Sequence, residues 1–382
     1  MKRFSALFLA VLMLAATFPS AFATGENAGL SLSCASSILM EKETGTVLYE
    51  QDSHAKLEPA SVTKIMTLLL VMEAVDSGRL SMDDVVTVSA YAAGMGGSQV
   101  YLKEGEQMTV SEMIKCVTVV SGNDCAVALA EHLAGSETAF VAQMNQRAKE
   151  LGMEDTNFVN CTGLPAQGHV TSAYDIALMS RELILNHPGI RQYTTIWMDS
   201  IRDGAFGLTN TNRLVRFYPG TTGLKTGSTD SALYCMSATA ERDGMELIAV
   251  VMKAPTTAQR FEDAKALLDY GFANYALVNV YPDTPLAPVD VLLGVVPQVQ
   301  PELQRDCRLL VGKADADQVS TKLSLAENLE APVEQGQTLG QLEVYVRGEL
   351  RDTIPIVSAQ QVDRLTVPDI FSRMLHQLLM SK

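Results

Sequence analysis

Apolar and polar positions change rhythm several times along the 382-residue chain. Residues 35–41 and 46–50 read as two strands joined through Glu43-Thr44-Gly45. A nearly continuous apolar run follows, which predicts a helix headed by Ser61 and ending near Ser77-Gly78. Residues 85–88 read as a short strand, and Gly94-Met95-Gly96-Gly97-Ser98-Gln99 as a loop. Thr109-Val110-Ser111-Glu112 is a capping box that opens a helix running through Val120. That helix stops at Ser121-Gly122-Asn123-Asp124. Two more follow, over 125–133 closed by Gly135 and over 136–151 closed by Gly152. Thr171-Ser172-Ala173-Tyr174-Asp175 opens another, which ends before His187-Pro188. Residues 232–239 and 246–252 then form a predicted hairpin on Asp243-Gly244, and a helix over 260–272 closes this part of the chain.

A second rhythm begins after Pro282, Pro285 and Pro288. Short alternating runs at 289–296, 307–311 and 342–346 predict a β-rich unit over 290–365, behind a first unit over 30–278. Residues 368–382 form an amphipathic helix. Ile370, Phe371, Met374, Leu375, Leu378 and Leu379 lie on one stripe, with Ser372, Arg373, His376 and Gln377 opposite. The stripe suits either a membrane interface, as a peripheral anchor, or docking on the β-rich unit.

Composition narrows the class. Hydrophobic residues make up 47% and charged residues 19%, which describes a globular chain rather than a disordered one. A formal net charge of -15 without a basic stripe argues against a nucleic-acid partner. Lys2 and Arg3, the apolar stretch 7–16 and Ala21-Phe22-Ala23 make residues 1–23 a cleavable export signal, so the mature chain is expected outside the cytoplasmic membrane, in the cell envelope. Six cysteines permit disulfides there, but their wide spacing favours buried thiols. With no Cys-x-x-Cys and no His-x-x-x-His, no metal site and no cofactor are expected.

The candidate chemistry sits in three places. Ser61 and Lys64 are three residues apart and share a helical face, at an end rich in unpaired backbone N–H groups. An amine set among Leu, Val and Met loses basicity and can take a hydroxyl proton. Ser53-His54-Ala55-Lys56 has the same spacing but reads as a solvated loop. Ser121-Gly122-Asn123 links two apolar helices. Lys225-Thr226-Gly227 lies on or beside the strand ahead of the predicted hairpin.

Ser61-x-x-Lys64, Ser121-x-Asn123 and Lys225-Thr226-Gly227, in that order, form the set known from penicillin-recognising serine enzymes, with Gly122 where that set carries Asp. Over about residues 33–275 the chain resembles the D-alanyl-D-alanine carboxypeptidases, the low-molecular-mass penicillin-binding proteins. Further shared stretches are Glu58-Pro59-Ala60, Gly97-Ser98-Gln99, Thr171-Ser172-Ala173-Tyr174-Asp175 and Gly223-Leu224-Lys225-Thr226-Gly227-Ser228-Thr229. The resemblance implies an α+β fold, an antiparallel sheet packed with helices and followed by a β-rich domain. It implies Ser61 as nucleophile, Lys64 as general base, Ser121 as proton relay and Asn123 as holder of the substrate amide. Lys225 would bind the substrate carboxylate with Thr226 and Gly227 beside it, and the N–H groups of Ser61 and Ser228 would form the oxyanion hole. Peptidoglycan stem peptides would be substrates and β-lactams covalent inhibitors.

Two other readings compete. A β-lactamase needs a deacylating glutamate, and Glu182-Leu183-Ile184-Leu185-Asn186 matches the string such enzymes carry, though inside a predicted helix. A non-enzymatic envelope scaffold would need a lost catalytic residue, and none is missing. His169 either lines the cleft or serves as a hydrogen-bonded structural histidine, the second being favoured.

Overall fold

The computed structural model describes residues 29–282 and 284–380, so the stretch 1–23, read above as an export signal, lies outside the described residues. A five-stranded antiparallel sheet organises the first part of the chain. Its strands are Ser36–Glu41 (β1), Val47–Gln51 (β2), Thr221–Thr229 (β3), Leu233–Arg242 (β4) and Met245–Ala254 (β5), in the spatial order β2-β1-β5-β4-β3. β4 and β5 form the predicted hairpin, and Asp243 and Gly244 both take the positive φ that its two-residue turn requires. Among the described residues β3 pairs only with β4, so it is an edge strand.

Both faces of the sheet are covered, which is why β5 reads as a continuous apolar run rather than an alternation. Ile248, Val250 and Met252 face the helices Lys64–Asp76 (α1) and Ala173–Asn186. Leu247, Ala249 and Val251 face the helix Thr257–Asn274. Gly271 lets that last helix come close, since a Cβ there would stand 2.5 Å from Leu247 Cδ1. α1 is buried on nearly every side from Lys64 to Met72, as an all-apolar helix must be.

A helical lobe stands beside the sheet. The helix Val110–Val119 (α2) opens on the predicted capping box, with the Thr109 side chain accepting from the Glu112 N–H and the Glu112 carboxylate accepting in return. Asn123–Ala134 (α3) ends at left-handed Gly135, and Glu137–Glu150 is capped by Ser136. A hairpin of Met198–Ile201 with Phe206–Thr209 went unpredicted, because its short strands carry Gly207, Asp199 and Ser200 rather than an apolar alternation. The loop holding Ser53 is as predicted, but it is not solvated there. Ser53 is buried and donates to Glu50.

The β-rich part begins earlier than the prolines suggest. Tyr275–Asn279 pairs with Arg308–Gly312, so hydrogen bonding ties residues 275–279 to the later strands. Thr338–Val346 and Glu349–Ser358 form the long hairpin of a four-stranded sheet, around a small core of Leu342, Val344, Ile354 and Ile356. The helix Val367–Met380 ends the described chain. Phe371, Met374, Leu375 and Leu379 on its stripe are exposed, so the β-rich part does not cover them, contrary to the docked alternative.

Candidate active site

The residues before α1 do not continue it as α-helix. Ala60–Thr63 forms a 3-10 turn, and Ala60 adopts a positive φ of 48° just ahead of Ser61. The tight turn places Ser61 at the mouth of a buried helix, with Lys64 beneath it in the first α-helical position. Lys64 is fully buried. Its Nζ lies 3.0 Å from Ser61 Oγ, 2.6 Å from Asn123 Oδ1 and 2.7 Å from the Thr162 carbonyl oxygen. Burial pulls the amine down to about 7, against smaller upward pulls from Cys161 and Asp124. The two carbonyl oxygens can only accept, so they take the two N–H groups of a neutral amine. The lone pair is then left for the Ser61 hydroxyl proton.

Ser121 and Asn123 join the site where α2 turns into α3. Ser121 has a left-handed backbone, with φ 65°, and its buried Oγ has no hydrogen-bond partner among the described residues. An unsatisfied buried hydroxyl is costly and marks a group kept for another partner. Asn123 bridges the site. Its Oδ1 accepts from Lys64, its Nδ2 donates to the Gly96 carbonyl at 2.7 Å and its backbone N–H donates to the Ser98 carbonyl at 2.7 Å. Asp124, fully buried, takes the N–H groups of Val100 and Leu102 at 2.9 and 3.1 Å and so fixes the glycine loop to α3.

β3 forms the third side. Gly227 lies against the Ala60–Thr63 turn, where a Cβ would stand 2.7 Å from the Ser61 amide nitrogen. Thr226 Oγ1 donates to Thr211 Oγ1 at 2.7 Å, and Ser228 is exposed beyond it. Lys225 is buried and its Nζ donates to the Thr226 carbonyl at 2.9 Å. Burial first, then the neighbouring charges of Lys64 and Arg260, pushes this amine well below the usual lysine range. An arriving carboxylate would restore its charge.

A family model described as D-alanyl-D-alanine carboxypeptidase matches residues 22–256, more than half of the chain. The chain belongs to the D-alanyl-D-alanine carboxypeptidase family. It is a serine-type carboxypeptidase of the low-molecular-mass penicillin-binding group, and a second model, for the penicillin-binding protein 5 C-terminal domain, matches residues 276–364. The carboxypeptidase is 41% identical to D-alanyl-D-alanine carboxypeptidase DacF of Bacillus subtilis over 372 residues, covering 95% of each chain. Among solved structures it is similar to penicillin binding protein 5 from Haemophilus influenzae, at TM-score 0.74 and 28% identity over 88% of this chain and 99% of that one. It also resembles penicillin-binding protein D2 from Listeria monocytogenes in an ampicillin-bound form, at TM-score 0.59 and 35% identity over 64% of this chain and 99% of that one.

Glu182, the residue on which the β-lactamase reading rests, is elsewhere in the carboxypeptidase. It ion-pairs with Arg147, which also holds Glu73. Glu73 lies nine residues along α1 from Lys64, about 13 Å at the helical rise. His169 is buried and hydrogen-bonded to Thr63 and Val159, which is the structural role expected.

Several participants left no mark in the sequence. The Thr162 and Gly96 oxygens are backbone atoms, which no residue type announces. Asn160 offers only a turn signal, yet its Oδ1 accepts from the N–H groups of Thr162 and Gly163 and so sets the carbonyl that holds Lys64. Arg260 is buried, and its Nη1 donates to the Gly227 carbonyl at 3.2 Å. It comes from the far helix, where an isolated arginine has no distinguishing context.

Proposed function

We propose that the carboxypeptidase removes the terminal D-alanine of peptidoglycan stem peptides through an acyl-enzyme on Ser61. The observation that carries this is Lys64 Nζ, held by Asn123 Oδ1 and the Thr162 carbonyl and aimed at Ser61 Oγ. Ser61 gives its proton to Lys64, and its oxygen attacks the carbonyl of the penultimate residue. The tetrahedral oxygen is held by the N–H groups of Ser61 and Ser228. Ser121 passes a proton to the leaving amine as the C–N bond breaks, Asn123 steadies the substrate amide, and Lys225 with Thr226 and Gly227 receives the terminal carboxylate. The substrate backbone adds along the open edge of β3. Water then hydrolyses the ester.

β-Lactams mimic the acyl-D-Ala-D-Ala end of the substrate and would acylate Ser61, a reading supported by the ampicillin-bound relative. Intact-protein mass after benzylpenicillin treatment tests it. A stable adduct on the parent and none on Ser61→Ala is expected. An adduct that survives in Ser61→Ala would overturn the assignment.

We infer further that the mature chain is exported and lies against the membrane through its last helix. The exposed apolar stripe supports this, and no helix among the described residues is long and apolar enough to cross a membrane. Flotation with phospholipid vesicles should carry the full chain upward and leave a chain ending at residue 366 behind. Equal flotation of both would count against it.

A further inference from the structure

The oxyanion hole assigned above depends on where one peptide bond points. In a planar trans peptide the C=O and N–H are directed oppositely. The N–H of Ser61 therefore faces the substrate only if the carbonyl of Ala60 is turned away from it. That carbonyl accepts from Thr63 Oγ1 at 2.9 Å. It is also covered by Gly163, where a Cβ would stand 1.8 Å from the Ala60 oxygen.

The direction of the Thr63 bond is set one step further out. His169 Nε2 lies 2.8 Å from Thr63 Oγ1, and the backbone N–H of Val159 lies 3.0 Å from His169 Nδ1. A backbone N–H can only donate, so Nδ1 accepts and Nε2 carries the ring proton. Nε2 then donates to Thr63 Oγ1. The Thr63 hydroxyl, with its acceptor side taken, donates to Ala60. Every hydrogen bond from Val159 to Ala60 runs one way.

His169 is held in place from outside the site. Asn157 and Val170 exchange two backbone hydrogen bonds, and the His169 N–H donates to the carbonyl of Ala166 at 3.0 Å. Both His169 and Thr63 are buried, so water does not compete for these bonds.

We propose that His169 is a positioning residue for the reaction, acting through Thr63 to hold the Ala60–Ser61 peptide with its N–H facing the substrate carbonyl. The inference rests on the reading of Ser61 as nucleophile and oxyanion donor. It assigns no contact between His169 and substrate. The relay should therefore affect the chemical step, where negative charge develops on oxygen, and leave substrate binding nearly untouched.

The test uses the mature chain with Thr63→Val, Thr63→Ser, His169→Ala, His169→Gln and the Thr63→Val/His169→Ala pair. Two rates are read: acylation by benzylpenicillin, and kcat and KM on an N-acylated peptide ending in D-Ala-D-Ala. Loss of the relay is expected to lower both acylation and kcat by roughly 10- to 100-fold, with KM within about twofold. Thr63→Ser keeps the donor and should stay within about threefold of the parent. His169→Gln keeps one acceptor and one donor and should recover part of the loss in His169→Ala. The double variant should be no slower than the slower single one.

Parent-like acylation in folded Thr63→Val or His169→Ala would overturn the proposal. So would multiplying effects in the double variant, or a loss confined to KM. If His169→Ala does not fold, the Thr63→Val and Thr63→Ser comparison decides. Failure of the nucleophile reading looks different, because the parent itself would then form no adduct on Ser61.

Discussion

Gly227 and Ser61 touch through their backbones, with the position of a Gly227 Cβ only 2.7 Å from the Ser61 amide nitrogen. The same Cβ would stand 2.9 Å from Pro59 O and Val62 N, so three backbone atoms of the turn would meet it at once. Backbone cannot step aside as a flexible side chain can. Gly227→Ala should force β3 and the Ala60–Thr63 turn apart and slow benzylpenicillin acylation by roughly 100-fold, the scale of losing an oxyanion donor. Stopped-flow acylation measures it. A variant that acylates at the parent rate would show that the turn can yield.

Lys64, as the proposed base, should give the acylation rate its pH dependence. Burial holds its amine near 7, far below the ordinary 10.5. The amine takes the Ser61 proton only when neutral, so acylation should rise with pH and reach half its plateau near 7. A rate flat from pH 5 to 9 would remove Lys64 from the role of base. Lys64→Arg, which stays charged, should not acylate measurably at any pH in that range.

His169 gives stability its own pH dependence. Burial lowers its pKa from 6.5 to about 4, against a smaller upward pull from Glu58. Between those values the unfolded chain binds a proton that the native chain refuses. Stability from this group is therefore full above 6.5 and falls as pH drops towards 4. The loss amounts to at most about 3 kcal/mol. The Lys64 window, from about 7 to 10.5, lies above and does not overlap. Urea unfolding at several pH values should show the decline, and His169→Gln should flatten it.

Glu182→Ala separates the carboxypeptidase from a β-lactamase. Glu182 serves Arg147 and accepts from Asn186, so its loss should cost about 1 kcal/mol of stability and leave the lifetime of the penicillin adduct unchanged. A longer-lived adduct would return Glu182 to the chemistry.

What the sequence made legible follows from what each feature depends on. The Thr109–Glu112 box and the Asp243-Gly244 turn are local, and both lie where the residues put them. Ser61 and Lys64 were legible because their spacing and apolar surroundings are themselves local. Asn123 reaches Lys64 across 59 positions of sequence, and only the motif order suggested it. Arg260 approaches Gly227 from 33 positions away with no motif at all. Tyr275–Asn279 was not foreseen as a strand, because its pairing with Arg308–Gly312 comes from tertiary contact and not from an alternating pattern.

All six cysteines are free and buried. Burial pushes the Cys34 thiol up to about 12 and that of Cys235 to about 11, and it raises Cys125, Cys161 and Cys307 as well. In the native chain these sulfurs therefore stay protonated and out of reach of disulfide reagents, even in an oxidising compartment. The unfolded chain has no such shelter, and its thiols can pair in many wrong combinations. Folding thus competes with oxidation until the core closes. Refolding calls for a reductant, and storage of the folded protein does not.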